Sequence, residues 1–267
     1  MKSTANIAER EDALVGFFED LRIADSRILM LDYDGTLAPF RADRSQAFPY
    51  PEIPGLIDKV MQCRTRVVLI SGRAAADVLR LCGIYPHPEI WGSHGAERIF
   101  PDGSYRLQPL ASTQHNALEL ATRALRRTGL DAHIESKPAS IAVHWRGLPP
   151  KDRAAIESRV HSVFSQEIEG NGLELFPFDG GLEIRNGLWN KGDAVRTVLR
   201  ESRAEAIGAY LGDDQTDEDA FSAIKGHGLA VLVRSEARPT AADVWLRPPS
   251  ELVGFLNEWL VACGETK

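Results

Sequence analysis

Cysteine is scarce in this chain, and long apolar runs are missing. The three cysteines, Cys63, Cys82 and Cys263, are far apart and include no Cys-x-x-Cys pair, so the sequence predicts neither a zinc site nor a disulfide framework. No apolar run approaches the roughly 18 residues that a membrane helix needs, and residues 1–10 lack the apolar stretch of a signal peptide. We therefore expect buried thiols, no membrane partner and a cytoplasmic location.

An excess of positive charge is also missing. Lysine and arginine number 31 against 38 acidic residues, which gives a net charge of −7. A nucleic-acid surface needs clustered Lys and Arg, so we expect no nucleic-acid partner. An acidic chain also repels an anionic substrate unless a cation intervenes. The 267 residues are enough for one large globular domain or for two smaller ones.

Short apolar runs alternate with helical spacing in the first and last parts of the chain. Buried strands are predicted where such a run stops at a polar residue, over 27–32, 66–71, 89–93 and 206–211, with further runs at 229–233 and 244–246. Helices are predicted over 12–23, 53–63, 74–82, 191–201 and 251–261, and Asp102-Gly103 predicts a hairpin turn. This alternation predicts an α/β core with a parallel sheet.

The pattern changes between residues 108 and 186. Helices are predicted there over 113–127 and 150–167, and strands over 132–136, 140–145, 173–176 and 181–185. That order is typical of an α+β unit with an antiparallel sheet. We therefore predict two domains, a core formed by residues 1–107 and 187–267 and an inserted α+β domain formed by residues 108–186.

Three of the predicted strands end in polar side chains. These are Asp32 and Asp34 after the first run, Ser71 after the second, and Asp213, Asp214 and Asp217 after the run 206–211. Ligands bind outside the carboxyl ends of the strands in an open parallel sheet, so we expect these groups to meet in one crevice. Five carboxylates there would repel one another. Mg²⁺, which takes carboxylates together with phosphate oxygens, resolves this repulsion and makes the pocket attractive to phosphate.

Two other interpretations exist for the segment that begins at Asp32. An Asp- and Gly-rich sequence is also typical of an ordinary turn after a strand, and this alternative stays open for the segment alone. A calcium loop is disfavoured by spacing. Gly35 falls at the fourth position of such a loop rather than the sixth, and Asp43 stands at the twelfth, where glutamate is required.

Lys191 and the segment Ser71-Gly72-Arg73 supply positive charge and hydrogen-bond donors. Lys191 begins a predicted helix, where the helix dipole slightly disfavours a cation, so we favour neutralisation of a phosphate or aspartyl phosphate over a solvated surface position. Ser71 lies where a strand turns into a helix, and its hydroxyl with the nearby backbone N–H groups suits phosphate oxygens. Ser71 as the N-cap of that helix is a compatible alternative.

These clusters together resemble the motifs of the haloacid dehalogenase-like superfamily of phosphotransferases. The matching segments, in order, are Asp32-Tyr-Asp34-Gly-Thr, Ser71, Lys191 and Gly212-Asp-Asp-Gln-Thr-Asp217. Further segments resemble the trehalose-6-phosphate phosphatase family: Ser93-His94-Gly95-Ala96-Glu97, Glu135-Ser-Lys137 with His144-Trp-Arg146, and Leu182-Glu183-Ile-Arg185 with Trp189-Asn190-Lys191-Gly192. The resemblance implies a Rossmann-like, haloacid dehalogenase-like core with an inserted α+β cap domain, which determines substrate specificity and closes over the pocket.

The resemblance also implies a role for each matching residue. Asp32 would be the nucleophile that forms an aspartyl phosphate, and Asp34 the general acid and base. Ser71 and Lys191 would stabilise the transferring phosphoryl group. Mg²⁺ would be held by the Asp32 and Asp213 side chains and the Asp34 carbonyl, with Asp214 and Asp217 farther from the ion. The residues implied in substrate binding are Gly72, Arg73, His94, Glu97, Glu135, Lys137, Arg146, Glu183 and Asn190.

The implied activity is hydrolysis of trehalose 6-phosphate to trehalose and phosphate, the last step of trehalose biosynthesis, by a monomer whose partner is a small sugar phosphate. Period-two spacing places Glu135 with Lys137, and Glu183 with Arg185, on shared strand faces, although each alone is typical of a surface ion pair. The core motifs leave open another sugar phosphate, such as sucrose 6-phosphate or a mannosylglycerate phosphate. A non-catalytic sugar-phosphate sensor is the weaker alternative, since the matching acids and lysine are all present.

Overall fold

The computed structural model describes residues 7–41, 43–178 and 180–264. The chain forms two compact units: the first comprises the residues up to Tyr105 and those from Asn190 onward, and the second comprises Arg106–Trp189. No helix of the described part of the chain is long and apolar enough to cross a membrane. The prediction made for residues 1–10 concerns a stretch whose first six residues lie outside the described ones.

Apart from one short helix, the helices and strands follow one another in the order that the sequence pattern predicts. The chain first forms α1 (Ile7–Ile23), β1 (Arg27–Leu31), α2 (Ile53–Gln62), β2 (Thr65–Ile70), α3 (Ala75–Leu81), β3 (Glu89–Gly92), β4 (Glu97–Ile99) and β5 (Tyr105–Leu107). Within the second unit lie α4 (Ser112–Arg127), β6 (Ile134–Lys137), β7 (Ser140–His144), α5 (Pro150–Val163), β8 (Glu174–Phe178) and β9 (Gly181–Arg185). The last part forms α6 (Lys191–Glu201), β10 (Ile207–Gly212), α7 (Glu218–Ile224), β11 (Gly228–Val233), β12 (Val244–Leu246) and α8 (Ser250–Ala262).

The larger sheet runs in the order β12-β11-β10-β1-β2-β3-β4-β5. Its strands from β12 to β3 pair in parallel, and β4 runs antiparallel to β3. In β1, Leu29 and Leu31 face one apolar cluster while Ile28 and Met30 face another, so both faces of the strand are buried. Burial on both faces explains why the sequence reads as a continuous apolar run. The predicted α/β core with a parallel sheet is confirmed.

The smaller sheet lies in the second unit and runs in the order β6-β7-β9-β8 with antiparallel pairing throughout. Its apolar side chains, such as Ile141 and Ile184, share one core with Leu118 of α4 and Val160 of α5. The two helices therefore cover one face of the sheet. This is the α+β unit that the changed sequence pattern predicts.

Four elements differ from the sequence prediction, and the first of them is α1, which begins at Ile7 rather than at residue 12. Helix α7 follows the acidic segment after β10 and was not predicted. The predicted helix 150–167 leaves α-helical geometry after Val163 and continues as a π-helical turn over Phe164–Ile168. The strand predicted from residue 132 begins only at Ile134, because Asp131–His133 form a 3₁₀ turn. Each difference lies at a helix or strand end or in a short element, where tertiary contacts override local pattern.

Candidate active site

The carboxyl ends of three adjacent strands carry the polar side chains that the sequence singles out. In the sheet, β1 lies between β10 and β2, and Leu31 is in register with both Leu211 and Leu69. The Asp32 N–H donates to the Leu211 carbonyl at 2.8 Å and extends this pairing by one residue. The side chains that follow these strands are therefore delivered to one edge of the sheet.

Three carboxylates and one ammonium group meet at this edge. Oxygens of Asp32, Asp213 and Asp217 all lie within 4.8 Å of one another, and all three residues are buried. The Lys191 Nζ donates to Asp32 Oδ1 and to Asp217 Oδ1, both at 2.7 Å. Three ionised carboxylates against one ammonium would leave two negative charges in a buried cluster.

Asp217 is already saturated with hydrogen bonds. Besides Lys191, the Tyr210 hydroxyl donates to its Oδ1 at 2.5 Å, and the backbone N–H groups of Asp213 and Asp214 donate to its Oδ2 at 3.0 and 2.9 Å. A carboxylate has about four acceptor positions, and these four donors occupy them. Asp217 therefore orders the loop after β10 and orients Lys191. The Asp214 carboxylate instead accepts from the Gln215 N–H at 2.7 Å, at the exposed side of the loop.

Asp213 is the carboxylate of this cluster to which the described residues donate no side-chain hydrogen bond. Its side chain is buried, yet it accepts no hydrogen bond from any of the residues that the structure describes. Gly35, at φ 81°, passes so close that a Cβ there would lie 2.3 Å from Asp213 Oδ2. A buried, unpaired carboxylate beside a second one offers hard oxygen donors of the kind that Mg²⁺ takes. The residues present thus fit a divalent cation, whose charge matches the two negative charges left by Lys191.

The pKa values follow from burial and from charge crowding. Burial raises the pKa of Asp32 to about 7, Lys191 opposes the rise, and Asp217 and Asp34 add to it. Burial and the Asp32 and Asp217 carboxylates raise the pKa of Asp213 well above its usual range. Burial lowers the pKa of Lys191, but the two facing carboxylates outweigh burial and raise it on balance. The ammonium therefore stays charged, and the acids need further positive charge to ionise fully.

A reciprocal hydrogen-bond pair fixes the start of α6. Asn190 Oδ1 accepts from the Asp193 N–H at 3.0 Å, and the Asn190 N–H donates to Asp193 Oδ2 at 3.1 Å. Such a capping box satisfies otherwise unpaired donors at the first turn. The structure thus gives Asn190 a role in placing Lys191, the first residue of the helix.

Two tight turns pack against each other beside the acidic cluster. The His94 N–H donates to the Ser71 carbonyl at 3.0 Å, and the Ser93 N–H donates to the Arg73 carbonyl at 2.7 Å. Ser93 and His94 adopt left-handed φ values of 47° and 56°, which are costly for residues with a Cβ. Glu97, which is buried, accepts from the Ser93 hydroxyl at 2.5 Å and the Tyr105 hydroxyl at 3.2 Å. Glu97 therefore stabilises the turn that carries His94.

Ser71 does not cap the following helix. The N-cap of α3 is Ala74, and no side chain bonds to the first turn there. The Ser71 hydroxyl instead accepts from the Arg73 N–H at 3.2 Å. The N-cap interpretation was wrong because three residues, rather than none, separate the end of β2 from the N-cap of the helix.

The His94 ring leaves no room for a side chain at Gly72. A Cβ at this position would lie 2.7 Å from Cε1 and Nε2 of the His94 ring. We expect Gly72→Ala to lower the free energy of unfolding by about 1–3 kcal/mol through this overlap, measured by denaturant unfolding. His94→Ala removes the obstacle, so the double variant should lose less than the sum of the two single variants. Gly55→Ala is the matched control, because nothing lies within 4 Å of the added methyl group. Additive losses at positions 72 and 94 would contradict the steric account.

Asp34 and Arg73 form a bidentate ion pair near the cluster. Arg73 Nε donates to Asp34 Oδ2 at 2.6 Å, and a terminal nitrogen donates to Oδ1 at 2.7 Å. The sequence places Arg73 among the substrate-binding residues. The structure shows its guanidinium paired with Asp34, and its assignment to substrate binding stays a prediction.

A second polar cluster lies on one face of the smaller sheet. Lys137 Nζ donates to Glu183 Oε1 at 2.7 Å, and the Ser140 hydroxyl donates to the same oxygen at 2.6 Å. The strand register places Glu135 two residues from Lys137 on the same face, and its Oε2 lies 2.9 Å from His144 Nε2. Arg146 follows β7 and lies against Gly180. A Cβ added at Gly180 would be 2.9 Å from the Cβ of Arg146.

Sequence reasoning missed two of the side chains in these clusters, Ser140 and Tyr210, and named His144 in a family segment without giving it a role. Ser140 lies on the same face of β7 as His144 and is in register with Lys137 of β6, so spacing across the two strands was the signal that could have found it. Tyr210 lies inside an apolar run, where a tyrosine is typical of ordinary core packing. No local signal distinguishes it.

Comparison with known proteins gives three kinds of match. The family model for trehalose-phosphatase matches residues 30–250. Trehalose-phosphate phosphatase of Mycobacterium marinum is 33% identical over 241 residues, which cover 85% of this chain and 60% of that protein. Probable trehalose-phosphate phosphatase H of Arabidopsis thaliana is 27% identical over 288 residues, which cover 97% and 80%. The chain thus spans about 60% of the length of the mycobacterial relative.

Solved structures match over nearly the whole chain. The C-terminal domain of Candida albicans trehalose-6-phosphate phosphatase aligns with a TM-score of 0.75 at 20% identity, covering 95% of this chain and 97% of that one. Aspergillus fumigatus trehalose-6-phosphate phosphatase aligns with a TM-score of 0.65 at 25% identity, covering 93% and 97%. The first of these shows a shared fold.

Proposed function

Because the chain belongs to the trehalose-phosphatase family, we propose that it hydrolyses trehalose 6-phosphate to trehalose and phosphate through a phosphorylated Asp32. The observation that carries the proposal is the buried contact of Asp32 with Lys191 beside the unpaired carboxylate of Asp213. A nucleophilic carboxylate, a fixed ammonium and donors for a cation are what phosphoryl transfer needs at one place.

In the proposed first step, an Asp32 oxygen forms a bond to phosphorus while the bond from phosphorus to the sugar oxygen breaks. Asp34 gives its proton to the departing sugar oxygen. In the second step, a water oxygen bonds to phosphorus, its proton passes to Asp34, and the bond from Asp32 to phosphorus breaks. Asp32 and Asp34 are then in their starting states.

In both proposed steps, groups around the phosphoryl oxygens stabilise the negative charge on those oxygens. Lys191 is held by two carboxylates and so presents a fixed positive charge next to the nucleophile. The Ser71 hydroxyl and the backbone N–H groups of the turn after β2 are the proposed phosphate donors. Mg²⁺, held by the Asp32 and Asp213 side chains and the Asp34 carbonyl, would supply Lewis-acid stabilisation of the phosphoryl oxygens.

The polar cluster of the second unit is the proposed sugar-recognition group. Glu183 and Lys137 are almost fully buried as side chains and share a 2.7 Å ion pair, so their positions are fixed. Charged groups with fixed positions select hydroxyl patterns more sharply than mobile ones. Glu135 and Arg146 are included in this proposal, as the family resemblance implies.

Phosphate release from a set of phosphorylated sugars tests the activity. We expect trehalose 6-phosphate to be hydrolysed with Mg²⁺ and not with a chelator, and sucrose 6-phosphate and mannosylglycerate phosphate to be poor substrates. If the protein prefers either of the latter two esters, the proposed substrate is wrong and the proposed phosphatase reaction stands. No release from any phosphate ester would favour a sugar-phosphate sensor.

Lys137→Ala tests the second unit separately. We expect kcat/KM for trehalose 6-phosphate to fall by roughly 10- to 100-fold, since a hydrogen bond from a charged group is lost, with little change for 4-nitrophenyl phosphate. Lys151→Ala, at an exposed position of α5, is the matched control and should change neither. Equal losses on both substrates would remove this cluster from sugar recognition.

A further inference from the structure

We propose that Arg73 is a positioning residue that orients Asp34 for proton delivery, instead of a ligand of the substrate. This inference rests on the proposed function, because it assigns the partner of its general acid. Two of the three guanidinium nitrogens donate to the two Asp34 oxygens at 2.6 and 2.7 Å. Planar, bidentate pairing of this kind fixes the orientation of a carboxylate as well as its position.

The rest of Arg73 is fixed within the first unit. Its remaining guanidinium nitrogen donates to the Arg44 carbonyl at 2.9 Å, and only 5% of its side chain is exposed. The backbone on either side is bound to the two tight turns described above, through the Ser71 hydroxyl and the Ser93 N–H. A move of the guanidinium to a phosphate would break three part-buried hydrogen bonds, two of them charge-assisted, and such bonds are costly to leave unmade.

Asp34 is the partner that needs this support. Its side chain is 25% exposed, against 5% for Arg73, so packing alone does not fix its rotamer. Each carboxylate oxygen has two acceptor positions, and Arg73 uses one on each, which leaves a position on either oxygen for the proton in transfer. Proton transfer is efficient only when donor and leaving oxygen are held in line at hydrogen-bond distance.

The test compares two small esters that differ in their need for a proton. Phenyl phosphate has a poor leaving group that needs protonation, while 4-nitrophenolate leaves without a proton. We expect Arg73→Met and Arg73→Lys to lower kcat/KM for phenyl phosphate roughly 10- to 100-fold more than for 4-nitrophenyl phosphate. Lysine keeps the positive charge but cannot donate two parallel hydrogen bonds to a carboxylate, so Arg73→Lys should not restore the activity on phenyl phosphate. Asp34→Asn should show the same selectivity, and Arg73→Lys combined with Asp34→Asn should lose no more than Asp34→Asn alone.

Inorganic phosphate as a competitive inhibitor separates positioning from phosphate binding. We expect its inhibition constant to be unchanged in Arg73→Lys. Weaker inhibition, equal losses on the two esters, or losses that multiply in the double variant would each overturn the positioning role.

Arg80→Met, at an exposed arginine paired with Asp77 in the same region, is the matched control for losing an Arg–Asp pair. If Arg73→Met does not fold, Arg73→Lys carries the test. Absence of phosphate release by the unaltered protein would overturn the proposed function, and this role with it.

Discussion

Asp32→Asn is expected to abolish phosphate release while the fold survives. Asparagine has the shape of aspartate but cannot form the acyl phosphate, so we expect kcat to fall by roughly 10⁴-fold or more. The position is buried, and both burial and its acidic neighbours disfavour a charge there, so a neutral side chain is tolerated. Phosphate release with Mg²⁺ measures the first effect and thermal unfolding the second. Asp20→Asn, at an exposed position of α1, is the control and should keep full activity. Substantial Mg²⁺-dependent turnover by Asp32→Asn would exclude covalent catalysis through this residue.

The same substitution should change how stability depends on pH when a chelator is present. Burial raises the pKa of Asp32 from its ordinary value of 3.8 to about 7, so between these values the folded state binds more protons than the unfolded state. Stability must then fall as pH rises from about 4 to about 7, by at most about 4 kcal/mol from this group. Unfolding of the unaltered protein in chelator should show that fall, and Asp32→Asn should show a smaller one. Equal pH dependence in both would contradict the raised pKa.

Lys191→Met is expected to cost both activity and stability. The ammonium is buried and lies 2.7 Å from Asp32 and Asp217, so its removal leaves like charges facing one another without a counter-charge. Breaking a buried ion pair from one side typically lowers the free energy of unfolding by about 3–5 kcal/mol. We expect a loss of this size in denaturant unfolding without metal. Phosphate release should fall by roughly 10³-fold, since the phosphoryl charge loses a fixed partner.

A second substitution separates the loss of charge balance from the loss of packing. Adding Asp217→Asn to Lys191→Met removes one of the facing charges, so part of the lost stability should return while activity stays low. Lys225→Met, at an exposed lysine after α7, is the control for replacing a lysine by methionine. Unchanged stability of Lys191→Met would show that the ammonium does not balance the cluster.

The sequence predicts the core of this fold well for a physical reason. Strands β1, β2 and β10 are buried on both faces, so their apolar runs are continuous and end abruptly at Asp32, Ser71 and Asp213. Parallel pairing of the three strands then brings those ends together, which is why strand-end residues could be assigned to one crevice. The division of the chain falls a few residues from the boundaries drawn on the sequence.

The pairing of side chains could not be predicted in the same way. Arg73 and Asp34 are 39 residues apart, and nothing in either segment indicates that one guanidinium holds the other carboxylate. Helix α7 has only seven residues and begins with two acids, so it carries too few apolar positions for a clear helical period. Contacts between distant segments depend on tertiary packing, which a pattern along the chain does not contain.

The separation of 159 positions between Asp32 and Lys191 has a consequence for how the protein folds during synthesis. Asp32 gains its ammonium partner only when α6 has packed, and Lys191 gains its second carboxylate only when the loop after β10 is in place beside the much earlier strand β1. Assembly of non-local parallel strands is intrinsically slow, because loop closure must precede any gain from contact. During synthesis, the buried cluster of Asp32, Lys191 and Asp217 can therefore be completed only after β10 and the loop that follows it have been made, and no fragment ending before β10 contains all of it.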